Sequence, residues 1–315
     1  MKIHQISAPP HASLARALAE FEEPFTYPLG QGKSFRITHG EDYTLFFRVL
    51  GDGACFIVEH QGRVAGVLGT AVRPLQMPDG TECAVAYLGD LKIAVHARGG
   101  TVLVRLARAA EAWLRPRVEA GFGVVMDGTV ATPDAYTGRA GIPFFRDLGH
   151  LMVFRIPRSD EDSKGEPRRF QTMQETGLAC YRRLSLGRYA CAPGEAQKRS
   201  QTKPLWLISP DGSACGMLED TRKAKRLITG DGSELLSAHL SCFAYNTVDA
   251  GAQLIGIARR QLAGLGFPAM FVAVAQPDAK ALRESLPSME ITAAPATVYG
   301  AGLPAGAWNI NSSEI

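Results

Sequence analysis

Short runs of apolar residues occur in the same order twice along the chain. Strand-like runs lie at 54–60, 64–77 and 82–95, followed by a helix-like run at 101–114 and strand-like runs at 122–128 and 150–156. The second series has strand-like runs at 204–209, 214–228 and 234–245, a helix at 251–266, a strand at 269–275, a short helix at 277–286 and a final strand at 296–302. Turns rich in Gly and Asp separate the early strands, which is typical of an antiparallel meander.

A constant spacing links the two series. The segment DGTE at 79–82 matches DGSE at 231–234, and Gly99 matches Gly251, in both cases with a shift of 152 (231 − 79 and 251 − 99). The pattern predicts an α/β (α+β) protein with two tandem domains, each a mostly antiparallel mixed sheet flanked by helices. The charged, aperiodic segment 158–170 is predicted to be a linker between domains at 1–157 and 171–315.

Charge does not favour a nucleic-acid partner. Lys and Arg number 34 against 31 Asp and Glu, which leaves a formal charge of +3, and 46% of the residues are hydrophobic, enough for two cores. The densest basic run, TRKAKR at 221–226, is interpreted as the solvated side of an edge strand.

The cysteines and the N-terminal residues are the basis for predicting the cellular compartment and the metal content. The six cysteines are scattered, without CxxC pairs or metal spacing, and are interpreted as buried free thiols, so no metal site is predicted. The N-terminal residues lack a signal-peptide core, and no apolar run is long enough to span a membrane. We therefore expect a cytoplasmic protein without a membrane partner; the oligomeric state stays open.

The segment VHARGGTVL, residues 95–103, joins a strand-like run to a helix-like run. Free amides at a helix start, together with the positive end of the helix dipole, favour a dianionic group. Gly99 and Gly100 let the backbone approach closely, and Arg98 can add a charge-assisted contact. A phosphate site is one reading; a plain strand-to-helix turn that needs glycine for its dihedral angles is the other.

The residues around this loop resemble the central motif of the GCN5-related N-acetyltransferases (the GNAT superfamily). That motif reads roughly D-L-x-V-x-P-x-x-R-G-x-G-I-G-x-x-L. The residues in register with it are Asp90, Leu91, Ile93, Arg98, Gly99, Val102 and Leu106. Val95 stands where proline is usual, Thr101 replaces the second glycine of RGxG, and Leu103 replaces the third small residue.

The resemblance implies acetyl-CoA as co-substrate. In the family the pantetheine arm lies where the strand before the motif separates from its neighbour, and the pyrophosphate lies on the loop and helix start. The residues that match these positions, and that we expect to bind the cofactor, are Ile93, Val95, Arg98, Gly99, Gly100, Thr101 and Val102.

The second copy lacks the phosphate-binding groups. Ala250 and Ala252 replace Arg98 and Gly100, and Asp249 would repel a phosphate. We therefore expect a degenerate second domain, as in other tandem members of the family.

Two residues are candidates for catalysis, because acetyl transfer needs a neutral amine and a proton donor for the leaving thiolate. Asp90, mid-strand, is the candidate base, acting directly or through water; a structural aspartate at a bulge is the alternative. Tyr136 is the candidate acid, with a packing or surface tyrosine as its alternative, since Phe145 occupies the position where the family usually has tyrosine.

The sequence thus predicts an N-acetyltransferase that moves an acetyl group to a primary amine by direct attack in a ternary complex. The acceptor would be a small-molecule or peptide amine. The alternative is a non-catalytic GNAT-like ligand-binding or scaffold protein, which Thr101, Leu103 and Phe145 favour.

Overall fold

The structure is a computed structural model that describes residues 1–30, 32–159, 174–286 and 290–315. Residues 160–170 of the predicted linker lie outside these ranges. No helix within them is long and apolar enough to cross a membrane.

The strands and helices follow one another from end to end of the described chain. The strands are β1 (Lys2–Ile6), β2 (Tyr27–Gly30), β3 (Lys33–Thr38), β4 (Asp52–His60), β5 (Arg63–Gln76), β6 (Glu82–Ile93), β7 (Gly121–Met126), β8 (Arg146–Pro157), β9 (Tyr189–Ala190), β10 (Leu205–Ile208), β11 (Ala214–Glu219), β12 (Arg226–Thr229), β13 (Ala238–Tyr245), β14 (Ala269–Ala275), β15 (Thr292–Ala301) and β16 (Trp308–Asn309). The helices are α1 (Ala12–Glu22), α2 (Leu45–Leu50), α3 (Val102–Leu114), α4 (Pro133–Tyr136), α5 (Gln174–Leu184), α6 (Ala196–Arg199), α7 (Val248–Leu265) and α8 (Gln276–Ser285), with 3-10 turns at η1 (Val95–Ala97) and η2 (Ser312–Glu314).

Two sheets are present in the described chain. The large one has thirteen strands in the order β1-β4-β5-β6-β7-β15-β8-β14-β13-β11-β10, with β9 and β16 attached beside β5. Along this order the neighbours are antiparallel except for β6 with β7 and β13 with β14, which are parallel. The small sheet has the order β12-β3-β2. The predicted mixed α/β fold is confirmed.

The predicted meander of the first half agrees with β4, β5 and β6 to within a few residues. In the second half the predicted strand 214–228 is wrong, because it breaks into β11 and β12. The Asp220 carboxylate accepts hydrogen bonds from the amides of Gln201, Thr202 and Arg222, which turns the chain. β12 then pairs with β3 in the small sheet.

The two halves share the large sheet instead of having one each. β15 comes from the second half, yet it lies between β7 and β8 of the first half and pairs with both. The division at 158–170 stays a prediction, but a cut there would separate strands that are hydrogen-bonded neighbours.

The large sheet has a different apolar layer on each face at its β4–β5 end. Alternate residues of β4 point to opposite sides, as the pleat requires. Ala54, Phe56 and Val58 pack with Val102 and Leu106 of α3. Cys55 and Ile57 pack in the larger core that contains α1, α2, β2 and β3. The sheet therefore separates an α3 side from a β2–β3 side.

Candidate active site

A bulge interrupts β6 opposite β5. Val67 pairs with Lys92 and Gly69 pairs with Gly89, so Asp90 and Leu91 together face the single residue between Val67 and Gly69. Asp90 has φ of 57°, in the left-handed region that non-glycine residues rarely adopt. The bulge re-aims the Asp90 side chain and ends regular pairing at this point.

A gap opens between β6 and β7 in the part of β6 that carries the bulge. The two strands pair in parallel at Ala86–Gly121 and Tyr87–Phe122 and then diverge. At the last close approach before they diverge, a Cβ on Gly123 would lie 2.5 Å from the Leu88 carbonyl oxygen. Glycine at this position therefore allows the two backbones to come this close. The splayed strand that the family resemblance implied is therefore present at the expected strand.

A cavity of about 640 Å³ occupies this gap and continues on both sides of the sheet. On the α3 side its wall includes Leu103, Ala107 and Ala110, and on the β2–β3 side it includes His39 and Phe46. Two ligands could therefore enter from opposite faces and meet where β6 and β7 separate.

The loop before α3 offers free amides next to this cavity. Arg98, Gly99, Gly100 and Thr101 are exposed, and Gly99 has φ of 77°. Within the described ranges, no protein group accepts a hydrogen bond from the amides of residues 99 to 104, and the Thr101 side chain does not cap the helix.

The other expected cofactor residues lie around the same loop. Val95 is 75% exposed, Ile93 packs against the α3-side core, and the Val102 side chain is fully buried. The structure thus brings the expected set together, but Val102 could offer a ligand its amide alone.

The start of α7 differs from the start of α3, and it lacks a site for phosphate, as the sequence predicts. The Thr247 hydroxyl accepts from the Ala250 amide at 3.2 Å, and the Thr247 carbonyl accepts from Gly251. Asp249 lies in the first turn of α7. These amides are partnered and stand beside a negative charge, so they are poorly suited to a phosphate.

The gap of the second half is filled by the end of the described chain. β13 and β14 pair in parallel only at Ala238–Met270 and His239–Phe271. Beyond this pairing, the Cys242 amide donates to Asn311 Oδ1 at 2.7 Å, and Ser312 Oγ donates to the Phe271 carbonyl at 3.1 Å. Where β6 and β7 leave a cavity, β13 and β14 hold protein.

The same backbone irregularity marks both gaps. Cys242 has φ of 50°, and it lies 152 residues after Asp90 (242 − 90), the spacing found in the sequence. The parallel pairs that start the gaps, at Ala86 and Ala238, are also 152 apart (238 − 86). This equivalence supports the proposal that the halves are copies of one unit.

Asp90 lies in the cavity wall with its oxygens already engaged. Oδ1 lies 3.0 Å from Lys92 Nζ, and Oδ2 lies 3.1 Å from His39 Nε2 and 3.0 Å from the Tyr43 hydroxyl. Burial by itself would raise the pKa of Asp90, but Lys92 and His39 outweigh it and lower the pKa to about 2. Asp90 is thus a strongly held carboxylate and a weak proton acceptor.

Tyr136 lies at the end of α4 and lines the same cavity as Asp90, as does Phe145. Burial raises the pKa of Tyr136 to about 12, with smaller contributions from Tyr299 and Asp134. At neutral pH the phenol keeps its proton, which is the state a proton donor requires.

Lys225 is a cavity residue that the sequence interpretation missed. The run 221–226 was expected to be solvated, but Lys225 is 3% exposed and lines the cavity, so that expectation is wrong for Lys225. Its Nζ donates to the Ile315 main-chain oxygen at 2.6 Å and lies 4.8 Å from the Phe46 ring centroid. Burial lowers its pKa to about 8.

The composition of the run gave no signal for Lys225. The orientation of the Lys225 side chain is set by the turn after Asp220, where the Lys225 amide donates to the Thr221 carbonyl. His39, Tyr43 and Lys92 were missed for a similar reason, since they meet Asp90 from separate parts of the chain.

No protein-family model matches the sequence, and a search of curated proteins gives no match. Solved structures do match. The chain is similar to Saccharomyces cerevisiae N-myristoyltransferase with bound myristoyl-CoA, with a TM-score of 0.60 and 10% identity over 99% of this chain and 87% of that chain. A second structure of that enzyme, with myristoyl-CoA and inhibitors, gives a TM-score of 0.61 at 10% identity over 99% of this chain and 84% of that one.

A GCN5-related N-acetyltransferase from Anabaena variabilis is similar with a TM-score of 0.52 and 15% identity, over 95% of this chain and 72% of that chain. At these identities the likeness establishes the fold. Together with the bulged β6, the gap beside it and the parallel β7, these matches show that the chain has the fold of the GCN5-related N-acetyltransferases, and its two halves on one shared sheet fit the architecture of N-myristoyltransferase.

Proposed function

We propose that this chain is an acyl-CoA-dependent N-acyltransferase that acts on a small-molecule or peptide amine. One observation carries the proposal: the gap between β6 and β7 forms a cavity lined from both sides of the sheet, and the free amides of residues 99 to 104 lie at the start of α3, whose Leu103 lines that cavity. A donor and an acceptor can meet there without sharing an entrance.

The donor would lie on the α3 side. Its pyrophosphate would accept hydrogen bonds from the free amides at the α3 start, with Arg98 beside them. The pantetheine arm would run along β6, past Ile93 and Leu91, and bring the thioester to the bulge at Asp90. The yeast structures, which hold myristoyl-CoA, support a CoA thioester as donor in general.

Acetyl-CoA is the donor that we propose, and a longer acyl chain is the second candidate. The cavity of about 640 Å³ lies in the middle of the range for sites that enclose drug-sized ligands. Its α3-side wall has small residues at Ala107 and Ala110. These leave room for more than an acetyl group.

The transfer itself is an attack by a neutral amine nitrogen on the thioester carbonyl carbon. The C–N bond forms, the C–S bond breaks, and the amine proton leaves while the CoA thiolate gains one. We propose that Asp90 stays ionised and uses its fixed negative charge to draw and orient the protonated amine, while water takes one proton from the ammonium before the attack and a second from the nitrogen after the C–N bond forms. Tyr136 would donate a proton to the thiolate.

The alternative, a GNAT-like protein that binds a ligand without catalysis, has one observation in its favour. The oxygens of Asp90 are held by Lys92, His39 and Tyr43, so the residue serves the structure even if no reaction takes place. Thr101 and Phe145 depart from the family pattern, and these departures also favour a protein without catalytic activity.

Calorimetric titration with CoA, acetyl-CoA and octanoyl-CoA, followed by a thiol-release assay with a panel of amines and N-terminal peptides, tests both proposals. Saturable binding with thiol release supports the transferase and ranks the two donors. Binding without thiol release across the panel supports the ligand-binding protein. If no CoA species binds, the transferase proposal is wrong and the non-catalytic ligand-binding or scaffold protein is favoured.

A further inference from the structure

Four ionisable side chains form a buried cluster at the cavity wall. We call Glu22, His39, Asp90 and Lys92 the bulge cluster; they come from the end of α1, the residue after β3, and β6. The side chains of Glu22, His39 and Lys92 are 1–3% exposed and that of Asp90 is 9% exposed.

The Lys92 ammonium lies between the two carboxylates of the bulge cluster. Its Nζ is 2.9 Å from Glu22 Oε1 and 3.0 Å from Asp90 Oδ1. His39 completes the ring, with Nδ1 2.7 Å from Glu22 Oε1 and Nε2 3.1 Å from Asp90 Oδ2. The rings of Tyr27 and Tyr43 face Nζ at 5.9 and 5.8 Å.

Without the ammonium, the other three residues are a set of metal ligands. One ligand atom each from Glu22, His39 and Asp90 lie within 4.8 Å of one another. Two carboxylates and an imidazole suit a divalent cation such as Zn²⁺. The positive charge that such a set requires is supplied here by a side chain.

Lys92 acts on the cavity through Asp90, which it touches, while its own side chain does not line the cavity wall. Asp90 needs such support, because a non-glycine residue with φ of 57° is strained unless its surroundings hold it. Removal of the ammonium would leave two buried carboxylates facing each other, which would push Asp90 and the bulge away from their present position.

We propose that Lys92 is a positioning residue whose ammonium takes the place of a divalent cation among Glu22, His39 and Asp90, and thereby fixes the bulge at the point where donor and acceptor meet. The kinetic part of this inference rests on the proposed transferase function. The metal-binding part does not, so the two can fail separately.

The first experiment measures the thermal midpoint of the tag-free full-length chain with and without Zn²⁺. We expect Lys92→Ala to lower the midpoint by about 6 °C, and Zn²⁺ a hundredfold above its Kd to raise it again by about 4 °C. Wild type should not respond. Visible absorption of Co²⁺ bound to Lys92→Ala would report the ligands directly.

Two controls separate a metal site from non-specific binding. Lys225→Ala removes another buried lysine of the cavity, one that forms no ion pair with an Asp or Glu side chain among the described residues, and it should show no Zn²⁺ response. Glu22→Gln combined with Lys92→Ala removes one ligand and should lose the response. If Lys92→Ala folds only when Zn²⁺ is present, the proposal is supported; if it fails to fold in either condition, or folds and ignores Zn²⁺, the proposal is overturned.

The second experiment compares kinetic constants. Lys92→Ala should lower kcat about 100-fold, because Asp90 and the bulge would move. The same variant should change KM for the acyl-CoA less than about threefold, because Lys92 does not line the cavity in which the acyl-CoA and the amine would bind. Zn²⁺ should recover at least about tenfold of kcat in Lys92→Ala and none in Lys92→Met, whose side chain fills the space without a charge. A KM effect with normal kcat would contradict the positioning role. Absence of transfer in wild type would overturn the proposed function and leave the Zn²⁺ result to decide the cluster.

Discussion

Arg98 and Asp90, eight residues apart, illustrate two different kinds of candidate site residue. Arg98 is exposed, has no ion pair among the described residues, and stands beside amides that no protein group uses. Asp90 is enclosed and bonded to Lys92, His39 and Tyr43. Arg98 is therefore suited to reversible binding of a ligand, and Asp90 to holding a fixed negative charge in the cavity wall.

For Arg98 we predict that Arg98→Glu weakens the binding of CoA and of acyl-CoA about 10-fold or more, because a charge-assisted phosphate contact is replaced by repulsion. Calorimetric titration measures this. Arg108→Glu changes the same charge on an exposed turn of α3, away from the loop, and should bind within about twofold of wild type. Equal loss in both variants would indicate a long-range charge effect and no contact at Arg98.

For Asp90 we predict a pH-dependent stability. Its pKa falls from 3.8 to about 2 on folding, so the folded state binds fewer protons than the unfolded state between these values. The stability that Asp90 contributes is therefore complete above about pH 4 and is lost as the pH falls toward 2.

Urea unfolding at pH 7 and pH 3 checks the Asp90 prediction. Asp90→Asn should cost about 3 kcal/mol at pH 7, because Lys92 and His39 lose their partner, and clearly less at pH 3. Asp52→Asn, at an exposed carboxylate 3.8 Å from Arg117, is the control and should cost less than about 1 kcal/mol at pH 7. An Asp90→Asn cost that stays constant between the two pH values would contradict the assignment.

At the scale of elements, α3 and α7 occupy matching positions in the two proposed copies but begin differently. α7 begins with the Thr247 hydroxyl accepting an amide hydrogen bond, while Thr101 at the α3 start makes no such bond. Water or a ligand can accept hydrogen bonds from the exposed amides at the α3 start, whereas the α7 start is closed by its own cap, so α3 is the helix for which we propose phosphate binding.

We predict that Thr247→Ala lowers the free energy of unfolding by about 1 kcal/mol and leaves acyl-CoA binding unchanged, because it removes a cap. Thr101→Ala should change stability by less than about 0.5 kcal/mol, because no cap is lost. Chemical denaturation and calorimetric titration of both variants provide the measurements. A larger stability loss from Thr101→Ala than from Thr247→Ala would reverse the assignment of the two helices.

At the scale of the whole molecule, the two halves are tied by long-range contacts. β15 lies between β7 and β8, and the carboxylate of Glu314, in the second half, forms a buried ion pair with Arg73 of β5 at 2.7 Å. Arg199 lies 3.6 Å from the same carboxylate. Neither half can complete its part of the sheet alone.

We therefore predict that both halves unfold in one cooperative step. Native-state hydrogen exchange should give the slowest amides of β7 and β14 the same free energy of opening, within about 1 kcal/mol, because β15 and β8 join the two strands. A gap of several kcal/mol, or two separate transitions in calorimetry, would show that the halves fold independently in spite of the shared sheet.

The sequence by itself determined the local elements and located the loop before α3. Hydrophobic periodicity located β4, β5, β6, α3 and α7 within a few residues, since that signal depends on neighbours in the chain. Arg98, Gly99 and Gly100 marked the loop because their conformational and charge properties belong to the residues themselves.

Only the tertiary structure decided what surrounds that loop. The insertion of β15, the turn that buries Lys225, the filling of the second gap by residues near Asn311, and the meeting of Glu22, His39 and Lys92 around Asp90 all join residues far apart in the chain. Such partners are selected by strand register and packing in the folded molecule, and no local pattern of apolar and polar residues specifies them.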